Sequence, residues 1–436
     1  MNNNFPISED LLYEAMQKSG VNSLTSASIR DIVAIIRYLE SATSVSFIRM
    51  DMGVPGLPTP DIGINYEYKA LKAGKSAVYG QIDGIPELKK EISNFVKNFL
   101  DIEVSEKSCI VTAGSMMGSM ITFMVAAKRD KSRQGVLFID PGFPVQKKQA
   151  HVMNLPIFSF DIYNYRGKDL YDKLEDLCAK NGVSVIIYSN PNNPTWICLT
   201  DEELKTIAEI ANRHDIIVAE DLAYFGMDFR HDYSQPGKPP YQPSIAKYTD
   251  NYLLLISSSK VFSYAGQRVG MMVVSDKLYD REYPNLLSIG ENSKLGPSLV
   301  MDGVYVISAG TSHTAQYGLA GILKEVNKGA YNFLEPTREY AKRAHEMKKI
   351  FINNGFQILY DKDGDEDIAD GFYFTVTYPG IEEEELVSRF IRCGLGTISL
   401  TITGSVGKSG VRISVSKVDS ELFTVLNERL ALINDL

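Results

Sequence analysis

Short, unbroken apolar runs alternate with longer amphipathic stretches from about residue 76 to residue 275 of the chain. The runs occupy residues 109–112, 136–139, 183–188, 216–219, 252–256 and 269–274. They are β-branched, too short for helices, and continuous rather than alternating, as expected of strands buried on both faces. Between them, Pro86–Leu100, residues 115–128 and Asp201–His214 read as helices. The last follows Thr200, a suitable N-cap, and places Asp201, Glu202 and Glu203 in its first turn. Strands alternating with helices predict an α/β fold, a mostly parallel sheet covered by helices.

The texture changes after about residue 325. A charged helical stretch (335–354) leads into 372–378, then a second helical stretch (382–392) and a last strand near 411–415. Polar–apolar alternation in this region predicts a smaller α+β domain. Residues 1–60 are expected to join it, because they end in the turn-rich Gly53-Val-Pro-Gly-Leu-Pro-Thr-Pro. A chain of 436 residues also exceeds what one core usually organises. The expected division is an N-terminal arm and part of the small domain (1–60), a large domain (61–325) and a small C-terminal domain (326–436).

Charge and cysteine usage narrow the function classes. The net charge is −9 with no basic stripe, which argues against a nucleic-acid partner. No apolar stretch approaches the ~18 residues of a membrane span, and the first ten residues lack the basic and apolar regions of a signal peptide. Cys109, Cys178, Cys198 and Cys393 are scattered and read as reduced core thiols. The five histidines show no ligand spacing. Residues 361–366 begin like a calcium loop, but Glu366 stands where glycine is needed and Phe372 where the glutamate is needed, so they read as a solvated turn. These features predict a cytoplasmic enzyme without a metal.

The candidate chemistry lies just after the strands. Asn190-Pro-Asn-Asn-Pro-Thr follows one, Glu220-Asp221 ends the next, and Ser257-Ser-Ser-Lys260 follows a third. In a doubly wound sheet, ligands bind in the crevice beyond the carboxyl ends of the strands. A lysine ending an apolar strand is costly unless solvated, paired or neutral.

The segment Ser257-Ser-Ser-Lys-Val-Phe-Ser-Tyr-Ala-Gly-Gln-Arg-Val-Gly resembles the active-site signature of class I/II, fold-type I aminotransferases. Asn193-Pro-Thr, Asp221-Leu-Ala-Tyr224, the segment from Tyr79 to Leu88, Val111-Thr-Ala-Gly-Ser-Met and Pro141-Gly-Phe-Pro resemble that family's other motifs, in the same order. The resemblance runs from Gly53 to Arg412 and is similar to aspartate-aminotransferase-like enzymes in general. It implies a seven-stranded, mostly parallel sheet, a homodimer with shared sites, and pyridoxal 5′-phosphate as cofactor. It implies amino-group transfer between an amino acid and a 2-oxo acid by a ping-pong mechanism.

Residue by residue, the resemblance implies that Lys260 carries the cofactor as a Schiff base and moves the proton. Asp221 would keep the ring nitrogen protonated. Asn193 and Tyr224 would bond the ring's 3′ oxygen, and Phe143 would stack on the ring. Ser115 and Met116, opening a helix, would hold the phosphate with Ser257 and Arg268. Tyr79 would reach the phosphate of the neighbouring subunit. Arg412 would hold the substrate's α-carboxylate, and Gly53 would let the N-terminal segment pass close to the substrate.

Two features depart from the family. Trp196, the only tryptophan, stands where glycine usually follows Asn-Pro-Thr, so the backbone must avoid positive φ or accept strain. Trp196 is expected near the cofactor, lining the substrate entrance or packing beneath the loop. The stretch between Arg268 and Ser312 also looks about a dozen residues longer than usual, in a region that helps line the side-chain pocket of relatives. A PLP-dependent lyase or decarboxylase on the same scaffold, or an aminotransferase-like ligand-sensing domain, are the alternatives.

Overall fold

The computed structural model describes residues 5–434. The first four residues of the expected N-terminal arm lie outside the described residues. Seven strands form the central sheet: β1 (Cys109–Thr112), β2 (Gly135–Asp140), β3 (Ile157–Asp161), β4 (Val183–Ser189), β5 (Ile217–Leu222), β6 (Tyr252–Ser257) and β7 (Gly270–Val274). Their order across the sheet is β1-β7-β6-β5-β4-β2-β3, and only β7 runs against the others.

The continuous apolar runs follow from burial on both faces. Ile186, Val218, Leu254 and Val273 point into one core, while Val185, Ile187, Ala219 and Leu253 point into a second across the sheet. Each apolar neighbour along a strand thus has its own layer to fill. Pro86–Leu100 and Asp201–His214 are helices with the expected bounds. Asp201–His214 carries a complete capping box between Thr200 and Glu203. The stretch 115–128 is instead an α-helix to Met124 followed by a 3₁₀ turn at Ala126–Lys128, and the long charged helix starts at Arg338.

The later strands β8 (Gln357–Ile358), β9 (Tyr373–Thr377), β10 (Ile398–Ser399) and β11 (Val411–Ser414) form a separate antiparallel sheet, ordered β10-β11-β9-β8. The N-terminal segment meets this region directly. Residues Ile48–Arg49 pair in parallel with Leu395–Gly396, and the amide of Leu24 donates to Glu384. The chain then crosses between the two sheets through Asp51, Met52 and Gly53.

The turn at residues 361–366 is exposed, as expected, at every position but one. It is a hairpin of Lys362–Asp363 against Glu366–Asp367, and Asp363 is buried rather than solvated. Its carboxylate meets Arg166 at 2.9 Å and Arg230 at 2.8 Å, and accepts from the Cys198 amide at 3.0 Å. The hairpin therefore clamps the loop that carries Trp196. No helix among the described residues is long and apolar enough to cross a membrane.

Candidate active site

Parallel strands deliver their carboxyl ends to one edge of the sheet, and five of them end in expected site residues. Ser115 and Met116 follow β1, Phe143 follows β2, Asn193 follows β4, Asp221 lies near the end of β5 with Tyr224 just after it, and Ser257 ends β6 with Lys260 just after it. Arg268 lies two residues before the start of β7, which begins at the same edge because it runs the other way. These residues, with Gly53 and Arg412, line one cavity of about 280 Å³. Arg412 arrives from β11, so the cavity lies between the two sheets.

One end of the cavity is built for an anion. The helix Ser115–Met124 begins there, with Ser115 and Met116 of its first turn at the cavity wall, where a helix N-terminus offers free amides to an anion. Two glycines make room for that approach. A Cβ on Gly270 would fall 2.7 Å from the Ser115 nitrogen, and one on Gly114 would fall 2.5 Å from the Arg268 guanidinium. Gly114 has φ +75°, and Arg268 itself is held in the left-handed region at φ +54°. A non-glycine residue there is strained, and such strain gathers at ligand clamps.

At the floor, Asp221 is buried. One carboxylate oxygen accepts from Gln146 at 2.7 Å and the other from the Ala223 amide at 3.1 Å. Burial pushes its carboxyl up to about 6, against the pull of Gln146, the Ala223 amide and Lys260. Lys260 donates to the carbonyl of Gly53. Burial, followed by the charges of Arg412 and Arg268, pushes its amine down to about 8, with Asp221 opposing. A lysine so placed has a free amine within reach near neutral pH, as a nucleophile requires.

Arg412 is 1 % exposed. Its guanidinium donates to the Asn193 side chain at 3.1 Å and to the Asp51 carbonyl, and lies 4.6 Å above the Tyr373 ring. Its Nε has no partner, and no carboxylate among the described residues lies within ion-pair distance of it. Tyr224 donates to the hydroxyl of Tyr373 at 2.8 Å. A planar ring bearing a phosphate and an aldehyde fits this lining. Hydrogen-bond donors and the Arg268 guanidinium, which a phosphate would need, stand at one end, a carboxylate at the floor, an amine at the side, and Phe143 on the wall.

Two expected residues do not line the cavity. Trp196 is fully buried and lies behind Tyr224, with ring centroids 5.3 Å apart. Of the two expected placements it takes the one beneath the loop, and its backbone accepts the strain, at φ +69°. Its indole occupies the space above Gly371, where a Cβ would fall 2.0 Å from the ring. Tyr79 is 94 % exposed on the surface. The longer stretch between Arg268 and Ser312 forms β7, two short helical turns and a continuous helical segment over 295–308, and none of residues 276–312 lines the cavity. Gln146 and Tyr373 are lining residues that the sequence does not announce, since each is placed by a partner far along the chain.

The family described as aminotransferase class I and II matches residues 49–429. The probable aspartate aminotransferase of Methanocaldococcus jannaschii is 26 % identical over 325 residues, covering 74 % of this chain and 77 % of that protein. The aspartate aminotransferase of Pyrococcus horikoshii is 25 % identical over 386 residues, covering 87 % and 89 %. Among solved structures, an alanine aminotransferase from Pyrococcus furiosus superposes with a TM-score of 0.74 at 20 % identity, covering 96 % of this chain and 98 % of that one. A Thermus thermophilus aspartate aminotransferase mutant gives 0.74 at 18 %, covering 93 % and 96 %.

Proposed function

The chain belongs to the class I and II aminotransferases, which depend on pyridoxal 5′-phosphate, and from that premise we propose how its own residues divide the work. When bound, the cofactor supplies an aldehyde for the substrate's amino group and a protonated ring that accepts the electron pair released at the α-carbon. Lys260 is the amine that anchors it and then moves the proton. Asp221 holds a proton at the ring nitrogen, with Gln146 and the Ala223 amide fixing its carboxylate. Tyr224 and Asn193 hold the 3′ oxygen. Ser115, Met116, Ser257 and Arg268 hold the phosphate, and Gly53 leaves room for the substrate.

The observation that carries this reading is Arg412. A buried guanidinium with a free N–H and no carboxylate partner is an unpaired charge, which a substrate α-carboxylate would satisfy by charge-assisted hydrogen bonds. Both an amino acid and a 2-oxo acid offer that group. The test adds each amino acid singly to purified enzyme and follows the bound cofactor's absorbance. One equivalent of 2-oxo acid per site without free ammonia is expected. Released ammonia would assign lyase chemistry instead.

The active unit in this reading is a homodimer, and the chain divides into the arm, large domain and small domain given above. The two separate sheets, with the cavity between them, support that division. Exposed Val78, Tyr305 and Val306 support a partner surface around Tyr79, whose loop is held where His313 Nδ1 meets the Val78 carbonyl at 2.9 Å. Cytoplasmic placement agrees with the buried, unpaired thiols of Cys109, Cys178 and Cys393. Mixing Tyr79→Phe with Lys260→Ala subunits is expected to rebuild some sites free of both changes and so raise activity above the mean of the two parent variants. A fully active monomer in sedimentation would refute the shared site.

A further inference from the structure

Tyr373 stands on β9, opposite Ser414 of β11, two residues from the Thr375–Arg412 pair. Its ring carries the Arg412 guanidinium, and its hydroxyl accepts a hydrogen bond from Tyr224, a residue of the turn that follows β5 of the large sheet. The hydroxyl is closely confined. A Cβ on Gly53 would fall 1.7 Å from it, so glycine in the crossing segment is what lets it reach Tyr224. Trp196 packs edge-on against both rings, at 5.3 and 6.3 Å, and fixes their directions. Tyr373 is therefore a buried phenol held at the cavity wall, with its polar end aimed at the oxygen of another.

A phenol has one proton to donate. Beside an anionic 3′ oxygen, the Tyr224 proton turns to that oxygen, because a charged acceptor makes the stronger bond. The Tyr373 O–H is then released to donate to the Tyr224 oxygen, and each hydrogen bond in such a series polarises the next. We propose that Tyr373 is a positioning residue that acts through Tyr224, donating to its oxygen and strengthening its hydrogen bond to the cofactor's 3′ oxygen. The proposal rests on the reading of Tyr224 given above. It makes the hydrogen bonding of the cofactor depend on where the small sheet sits.

The test is a pH titration of the bound cofactor's visible absorbance, without substrate, in Tyr373→Phe, Tyr224→Phe and the double variant. Phenylalanine keeps the ring beneath Arg412 and removes only the hydroxyl. A donor to the anionic oxygen resists its protonation, so losing the donor raises the midpoint. Tyr373→Phe is expected to raise it by about 0.5–1 pH unit, the scale of one neutral hydrogen bond. Tyr224→Phe should raise it further, and the double variant should match Tyr224→Phe alone. A shift in Tyr224→Phe with none, or a fall, in Tyr373→Phe would overturn the relay and leave the reading of Tyr224 standing. Additive shifts in the double variant would overturn it equally. An unmoved midpoint in Tyr224→Phe would remove both. A purely packing role for Tyr373 lowers the melting temperature and leaves the midpoint in place.

Discussion

Lys260→Ala is expected to bind pyridoxal phosphate without a covalent link and to turn over slower by ~10²–10⁴ or more, the scale of a lost acid–base group. The anion end of the cavity does not involve Lys260. Its helix N-terminus, Ser257 and Arg268 stay in place, so the cofactor should still be retained. What disappears is the amine, which burial, then Arg412 and Arg268, hold down to about 8. Borohydride treatment of the native protein should therefore fix the cofactor on the peptide containing Lys260 and on no other. In Lys260→Ala the same treatment should fix nothing. A labelled peptide centred on another lysine would sink the assignment. The variant should fold normally, because the side chain's polar contact is a single bond to the Gly53 carbonyl.

Several residues legible in the sequence share a place at the end of an apolar strand, whereas Gly53, Arg268 and Arg412 are legible only through the family resemblance. Asp221, Ser257 and Lys260 each follow a run buried on both faces, and a parallel sheet sends such ends to one edge. Strand β3 escaped that reading because it is an edge strand. Ile157 and Phe158 are half-buried and Ser159 is exposed, so no continuous apolar run marks them. Gln146 and Tyr373 were illegible for a different reason. Their partners, Asp221 and Tyr224, lie 75 and 149 residues away, and nothing local distinguishes a glutamine on a helix or a tyrosine in a strand. Trp196 falls between these cases. Its neighbourhood to Asn193 was legible. Its burial was not, because the space it fills is set by Gly371 and the hairpin around Asp363.

Asp221→Asn is expected to lose on the order of 10²–10³ in turnover, the scale of removing one preorganised electrostatic partner from a reacting site. The substitution keeps the shape, so packing is a minor term and charge the major one. Asparagine cannot hold a proton on a ring nitrogen by charge, and the electron pair released at the α-carbon then has a poorer acceptor. Near-normal turnover would mean that the electron sink is arranged differently here. The cofactor-free protein offers an independent check through pH. Burial raises the Asp221 carboxyl to about 6 from its ordinary 3.8. Its folded form thus binds its proton more tightly than the unfolded form does. The resulting stabilisation is full below the unfolded value and is lost as pH rises through about 6. Buried Glu220 and Asp140, raised to about 7 and about 6, tilt the native protein in the same direction. The informative quantity is therefore the difference between native and Asp221→Asn melting curves. That difference should favour the variant progressively as pH rises from 4 to 7 and level off above. A constant difference would show that Asp221 does not carry a buried charge, and would take with it the reason for placing a protonated ring nitrogen beside it.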